Sequence, residues 1–436
     1  MKKKSILLVI LLCFVTLILA QEPVKIIFWH NMSNPVDRKS IEEIVQIFNQ
    51  KNPNIEVEAI LVPATGTDAT RLMTAIAGGT GPDAYYLDRF TVAQRAYYNQ
   101  LEPLDKYLEE NGIDVELLKS KYVDFAINEC IWDNTLYALP WDTDARVLFY
   151  NKKLFREAGL DPEKPPVTIE ELDEYAEKLT KKAGNRYLQI GFVPWVGEGW
   201  PYTWGWTFGR EFYDYENQKL IFAEDENIKE SFEWQKMYAD KYGIKEMEAF
   251  FSAFGMSFTG SSVGSAAPID PFLNGQLAMK VDGNWLLAQI EQGLAPAGFE
   301  YGMAPIPYPE EVGKSTTWAG GWSIVIPKGA KHPKEAAKFI YYMATEGQIK
   351  YAEDAAHLPT WKEAIPVFVE AYPKQRLFAD LLSTAKNRPP LPVGALLWDE
   401  LVDARNYVLY GEKDVETALL DAQNKVQQEL NKMLIR

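Results

Sequence analysis

Asp88 and Arg89 stand side by side in "YYLDRF", directly after a short apolar run. A carboxylate accepts hydrogen bonds from hydroxyl groups and a guanidinium donates to them, so the pair can clamp a polyhydroxylated molecule from two chemical directions. On an exposed helix the same neighbours would be only a solvated surface pair. A second stretch, "VPWVGEGWPYTWGWTFG" (193–209), sets Trp195, Trp200, Trp204 and Trp206 with Tyr202 among glycines. Some of these rings must pack a core. The segment follows neither period 2 nor period 3.6, so it reads as a loop, and loops rich in rings suit binding. Sugar rings present weakly polar C–H faces that stack on indole, while their hydroxyls need acids, amides and arginines. Acid, base and ring platform together are what a carbohydrate site requires.

The elements that must position these residues come from the first seventy positions after the apolar start. Lys25 to Trp29 reads as a strand. A helix starts near Pro35, with Ile41, Ile44, Val45 and Phe48 on one face. "NPN" breaks it, and Ile55, Val57 and Ala59 then alternate with polar residues as a strand should. A second helix in "ATRLMTAIAGG" stops at Gly78 and Gly79, and Ala84 to Leu87 form a third strand. Strand, helix, strand, helix, strand is the pattern of a right-handed parallel sheet, so the fold class is α/β. Ligands of such sheets bind beyond the carboxyl ends of the strands. Asp88 and Arg89 occupy that end of the third strand, His30 and Asn31 that of the first.

The same grammar resumes with a strand at Val147 to Tyr150. A helix follows, opened by the Thr168/Glu171 capping box and ended by Gly184, and then a strand in "LQIGFV". Helices are expected near 228–241, near 333–345 and from about 413. With no repeat or long linker, the two α/β halves interdigitate in sequence.

Residues 1–20 read as a cleaved secretory leader: Lys2, Lys3 and Lys4, an apolar run too short for a membrane span, then Ala20 before polar residues. Cys13 lies within the apolar run with no small residue before it, so it does not read as a lipid-attachment site. The protein is expected outside the cytoplasm, free in the periplasm or its equivalent. Cys130 is then the only remaining cysteine, which excludes an intramolecular disulfide. Acidic residues number 61 against 45 basic ones, a net charge of −16, which disfavours nucleic acid and anionic lipid as partners. The three histidines lack metal-ligand spacing, no G-x-S-x-G elbow occurs, and "VGKST" lacks the earlier glycine of a phosphate loop. No metal or cofactor is expected.

Several blocks carry a family resemblance: "KIIFWHNM", "GTGPDAYYLDRF", "LYALPWDTDARVLFYNKKLFREAGL", "GQLAMKVDGNW", "YGMAPIPYP" and "GGWSIVIPKGAKHPKEAAKFIYYM". In this order they resemble the extracellular solute-binding proteins of carbohydrate ABC importers, the family that contains maltose-binding protein. The resemblance implies a type II periplasmic-binding-protein fold, with two lobes joined by three crossing segments around a ligand cleft. The crossings would fall near 140–144, 317–321 and 359–364. One lobe would comprise 21–141 with 319–363, the other 142–318 with 364–436.

The resemblance also implies roles. Asp88 and Arg89 match a motif that bonds sugar hydroxyls, and Asn31 a hydroxyl partner after the first strand. Asp144, with Asp142 close by, matches the acid of the first crossing. Tyr202 in Pro201-Tyr202, with Trp200 adjacent, matches a stacking ring, as do Trp285 in "DGNW" and, from a more divergent block, Trp398. Trp322 in "GGW" would line either the cleft or the hinge. Val402 stands where maltose-binding protein has an arginine, which speaks against maltose, and Arg388 would be a substitute charge. The implied function is a monomeric, non-catalytic receptor that hands a sugar to a membrane permease. The alternatives are a secreted glycoside hydrolase, using Asp88 and Asp144 as its two carboxylates, and a receptor for a polyol or glycerol phosphate ester.

Overall fold

The computed structural model describes residues 22–62, 70–259 and 269–434; the leader read at 1–20 lies outside them. Strands β1 (Val24–His30), β2 (Ile55–Leu61) and β3 (Ala84–Asp88) pair in parallel, β1 in the middle, with Val24 opposite Ile55 and Phe28 opposite Ala84. The helix Pro35–Lys51 between β1 and β2 starts where Asn34 accepts a bond from Val36 N. It buries Ile41, Ile44, Val45 and Phe48, the face its spacing predicts.

Strand β4 (Ala138–Pro140) ends the first sheet's contribution from this half. The chain then enters β5 (Arg146–Asn151), which β6 (Met279–Gly283) and β7 (Tyr301–Ala304) flank on either side, both antiparallel. Strand β8 (Trp322–Val325) returns to the first sheet and lies antiparallel between β3 and β4, giving the order β2-β1-β3-β8-β4. Two sheets with helices on their faces form two α/β lobes, and the chain passes between them at 141–145 and 305–321. A third passage follows Leu358–Pro359, which pairs antiparallel with Asp142–Thr143. The helix Ala364–Ala371 still rests on Gln348–Asp354, whereas Phe378 beyond it packs on Phe149 of β5.

Local structure departs from the sequence reading in three places. The capping box at Thr168 is present, but its helix ends at Leu179 rather than at Gly184. Residues Lys181–Ala183 and Arg186–Gln189 form a hairpin instead, with Gly184 at φ +61° in its turn, so that glycine serves the hairpin rather than the helix end. The aromatic stretch is not a loop throughout: Pro201–Thr207 is a helix buried on every side, and a helix apolar all round shows no periodicity. Trp195, Trp204 and Trp206 are core residues whose indole N–H groups donate to Phe258 O, Pro194 O and Glu211 Oε2 at 2.8, 2.8 and 3.0 Å. Finally, the helix Gly394–Leu409, unforeseen in the sequence, pairs with Val415–Leu434 over a second core that includes Tyr202, Phe212, Leu397 and Leu419.

Cys130 is fully buried, and that burial pushes its thiol far above the ordinary range. Among the described residues no helix is long and apolar enough to cross a membrane.

Candidate ligand-binding cleft

A cleft of about 750 Å³ opens where the lobes meet. Its first wall is the start of the helix Pro35–Lys51, with its cap Asn34 and Asp37, together with Asp354 and His357. Its floor is the crossing residues Asp142, Thr143, Asp144 and Gly321 with Trp322 at the start of β8, and its second wall is the helix Asn284–Glu291, with Trp285 in its first turn and Leu294 just beyond its end.

Asp142 is buried and knots the floor together. It accepts bonds from Tyr86 Oη and Trp322 N, both at 2.9 Å, and its Oδ2 lies 3.6 Å from His357 Nδ1. Burial raises its pKa, and His357 and those hydrogen bonds oppose the rise. Asp144, half-buried, accepts from Gly320 N at 2.5 Å and pairs with Arg146. Gly321 sits at φ +123°, and a side chain there would strike the Asp142 carbonyl. Only glycine lets the second passage lie so closely on the first.

Arg89 takes no part in the cleft wall. Its guanidinium is fully buried and donates to Glu129 Oε2 (2.7 Å), Asp142 O (2.7 Å) and Gly320 O. It therefore ties the first two passages to each other from behind. Asp88 turns the other way: its Oδ1 accepts from Phe90 N at 3.0 Å and lies 3.7 Å from Arg388 Nη2. Burial raises its pKa against the pull of Arg388.

The rings fall into two groups. Trp285 stands half-buried over Gly283 with the Arg146 guanidinium 5.1 Å from its ring, and Trp322 stacks on Tyr86 at 4.7 Å. Away from this chamber, Trp200 and Trp398 pack 5.0 Å apart, both half-buried, with Tyr202 buried 6.0 Å from Trp398. Trp361 is buried against Tyr122. Asn31 is half-buried at the end of β1 and is not among the residues lining the chamber. The structure thus brings Asp142, Asp144, Trp285 and Trp322 to one chamber, and Asp88, Trp200, Tyr202 and Trp398 to its neighbourhood around Arg388.

Four carboxylates, Asp37, Asp142, Asp144 and Asp354, line the chamber, and neither lysine nor arginine does. Burial would lower the pKa of His357, but the hydrogen bond to Asp37 and the charges of Asp142 and Asp37 outweigh it and raise the value. Asn34, Asp37, Asp354, His357 and Tyr372 were not foreseen as lining residues. Asn34 carried a visible signal, a cap before proline at the carboxyl end of a strand. His357 and Tyr372 had none, because only the pairing of the third passage with the first brings that segment to the cleft.

The family model for bacterial extracellular solute-binding proteins matches residues 33–350. Among curated relatives, the sn-glycerol-3-phosphate-binding periplasmic protein UgpB of Escherichia coli K12 is 26% identical over 86% of this chain and 83% of its own. Among solved structures, mannotriose-bound CpMnBP1 superposes with a TM-score of 0.76 at 29% identity, covering 92% of this chain and 100% of that one. Maltose-bound MalE3 of T. maritima shares the fold, with a TM-score of 0.69 at 24% identity over 93% of this chain and 100% of its own. With a matching family model over most of its length and the two-lobed architecture that such relatives share, the chain belongs to the bacterial extracellular solute-binding proteins.

Proposed function

We propose that the protein is an exported receptor that binds an oligosaccharide between its lobes and delivers it to an ABC importer permease. The observation that carries this reading is the chamber itself: Trp285 and Trp322 offer ring faces beside four carboxylates that accept hydroxyl bonds. The likeness to CpMnBP1, whose structures hold mannotriose and mannobiose, supports a manno-oligosaccharide as the first ligand to try. In this reading the moving bodies divide at 141/142, at 318/319 and beyond Ala371 rather than at 363/364, because the helix Ala364–Ala371 rests on the first lobe. The ligand favours the closed arrangement because it touches both bodies. Asp88, Asp142, Asp144, Trp200, Trp285, Trp322 and Trp398 are the proposed ligand-facing set, with Asn31 at the margin. Tyr202, packed between Trp206 and Phe212, supports the Trp398 ring from behind instead of stacking on the ligand. Arg89 is a positioning residue. The leader directs export to the periplasm or its equivalent, and the receptor works as a monomer without a lipid anchor.

The UgpB relatives favour a second reading, a glycerol phosphate ester. The acidic lining of the chamber opposes a phosphate there. Titration calorimetry with mannobiose, mannotriose, maltose and sn-glycerol 3-phosphate tests both readings, with chromatography of the recovered sugars. The expected result is one-to-one binding of a manno-oligosaccharide without cleavage. Cleaved product would favour the hydrolase, and binding of the phosphate ester alone would overturn the oligosaccharide reading.

A further inference from the structure

Beside the acidic chamber lies a side-chain cluster of the opposite character. Arg388 and Arg405 flank the Trp200–Trp398 pair, each with its guanidinium carbon 5.6 Å from a ring, Arg388 over Trp398 and Arg405 over Trp200. Both are deeply buried, at 8% and 2% exposure. Arg388 Nε and Arg405 Nε and Nη1 have no hydrogen-bond acceptor. Arg405 makes one long bond, from Nη2 to Asn406 Oδ1 at 3.3 Å. Arg388 lies over the Phe90 ring at 3.9 Å, has Asp88 at 3.7 Å and feels the buried Glu129 carboxylate, but its Nε meets no acceptor, so Arg405 is the more weakly compensated of the two. Two more donors nearby lack partners: the hydroxyl of Tyr202, 1% exposed, and the indole N–H of Trp318, 3% exposed. Their rings lie 6.0 and 6.1 Å from that of Trp398.

Other buried arginines of this protein do not look like this. Arg89 donates to Glu129 and to two carbonyls, and Arg146 is paired with both Asp144 and Glu198. A guanidinium taken out of water needs a counter-charge or acceptors. Burial holds the Arg405 pKa down to about 10, with no carboxylate opposing the shift. A cluster of donors that outnumbers its acceptors, set around two half-exposed tryptophans, is complementary to an acceptor-rich, negatively charged group carried on a ring.

We propose that Arg388 and Arg405, with the Trp200–Trp398 platform between them, form a subsite for a sugar unit bearing an oxyanion. A uronic acid carboxylate and a phosphate ester share the required chemistry. The inference rests on the receptor reading above and adds a polarity to it: neutral hydroxyls lie at the carboxylate end and the anionic group at the arginine end.

The test is calorimetry on the full-length protein at neutral pH with mannobiose, a uronosyl disaccharide of the same length, and sn-glycerol 3-phosphate. The uronosyl disaccharide should bind at least about ten-fold more tightly than mannobiose, and added salt should shrink the difference. In Arg405→Met the preference should fall to about parity while mannobiose binding persists. The variant should fold, since it removes a buried cation that lacks a counter-charge; if it does not, Arg388→Gln carries the same test. A phosphate ester that binds while the uronosyl disaccharide does not would keep the subsite and identify phosphate as the source. Mannobiose bound as tightly as the uronosyl disaccharide, with no phosphate ester bound, would overturn the subsite and leave the receptor reading standing. An acid preference that survives unchanged in both arginine variants would also overturn it. If none of the three ligands binds, the receptor reading fails and the subsite falls with it.

Discussion

At the scale of single residues, Asp88 and Arg89 show how far adjacency in sequence informs. Their types pointed to a polar site, and a polar chamber lies close by, lined by neither of them. The strand ends at Asp88, which caps the 3-10 turn Arg89–Thr91, and that change of backbone direction sends the two side chains apart. Asp88 faces Arg388 near the cleft, and Arg89 goes inward to Glu129, Asp142 and Gly320. The partner that draws Arg89 inward, Glu129, is forty positions away and no local pattern announces it. Arg89→Met should therefore act on folding, because it leaves Glu129 buried without its counter-charge. A loss of roughly 3–5 kcal/mol in urea unfolding is expected. Normal stability with abolished ligand binding would instead make Arg89 a direct ligand contact.

At the scale of elements, the parallel βαβαβ opening was legible nearly residue by residue, because its helix and strand periodicities are clean and its breakers are Pro and Gly. The second lobe was less legible. Its strands β5, β6 and β7 pair across more than a hundred residues of intervening chain, and its aromatic helix carries no polar face to set a period. Trp285 could be placed at a strand exit from sequence alone: it stands two residues after β6, in the first turn of the helix on the cleft wall. Trp285→Ala should weaken oligosaccharide binding by roughly 1–3 kcal/mol, about five- to 150-fold. Unliganded stability should fall by much less than the roughly 3–5 kcal/mol of a core tryptophan. Calorimetry and urea unfolding on the same variant check both, and a large stability loss with intact affinity would assign the ring to the core.

At the scale of the whole molecule, stability should depend on pH through His30 at the end of β1. Burial, aided by Arg38, lowers its pKa from 6.5 to about 4, so the folded protein holds it neutral. The unfolded chain takes up the proton first as pH falls. The stabilisation is therefore complete above about pH 6.5 and is lost between there and about pH 4, to a total of roughly 3 kcal/mol. His30→Phe should flatten that part of the stability–pH curve in urea titrations, and an unchanged curve would show that other groups set it. Cys130 has a consequence of another kind. In a protein expressed without residues 1–20, and so without Cys13, Cys130 is the only thiol; it is fully enclosed and held protonated, so alkylating dyes will pass it over. A cysteine placed at Leu294, 63% exposed on the cleft lip, would then be the only reactive handle, and a fluorophore there would turn lobe closure into an optical signal without any need to remove a native sulfur.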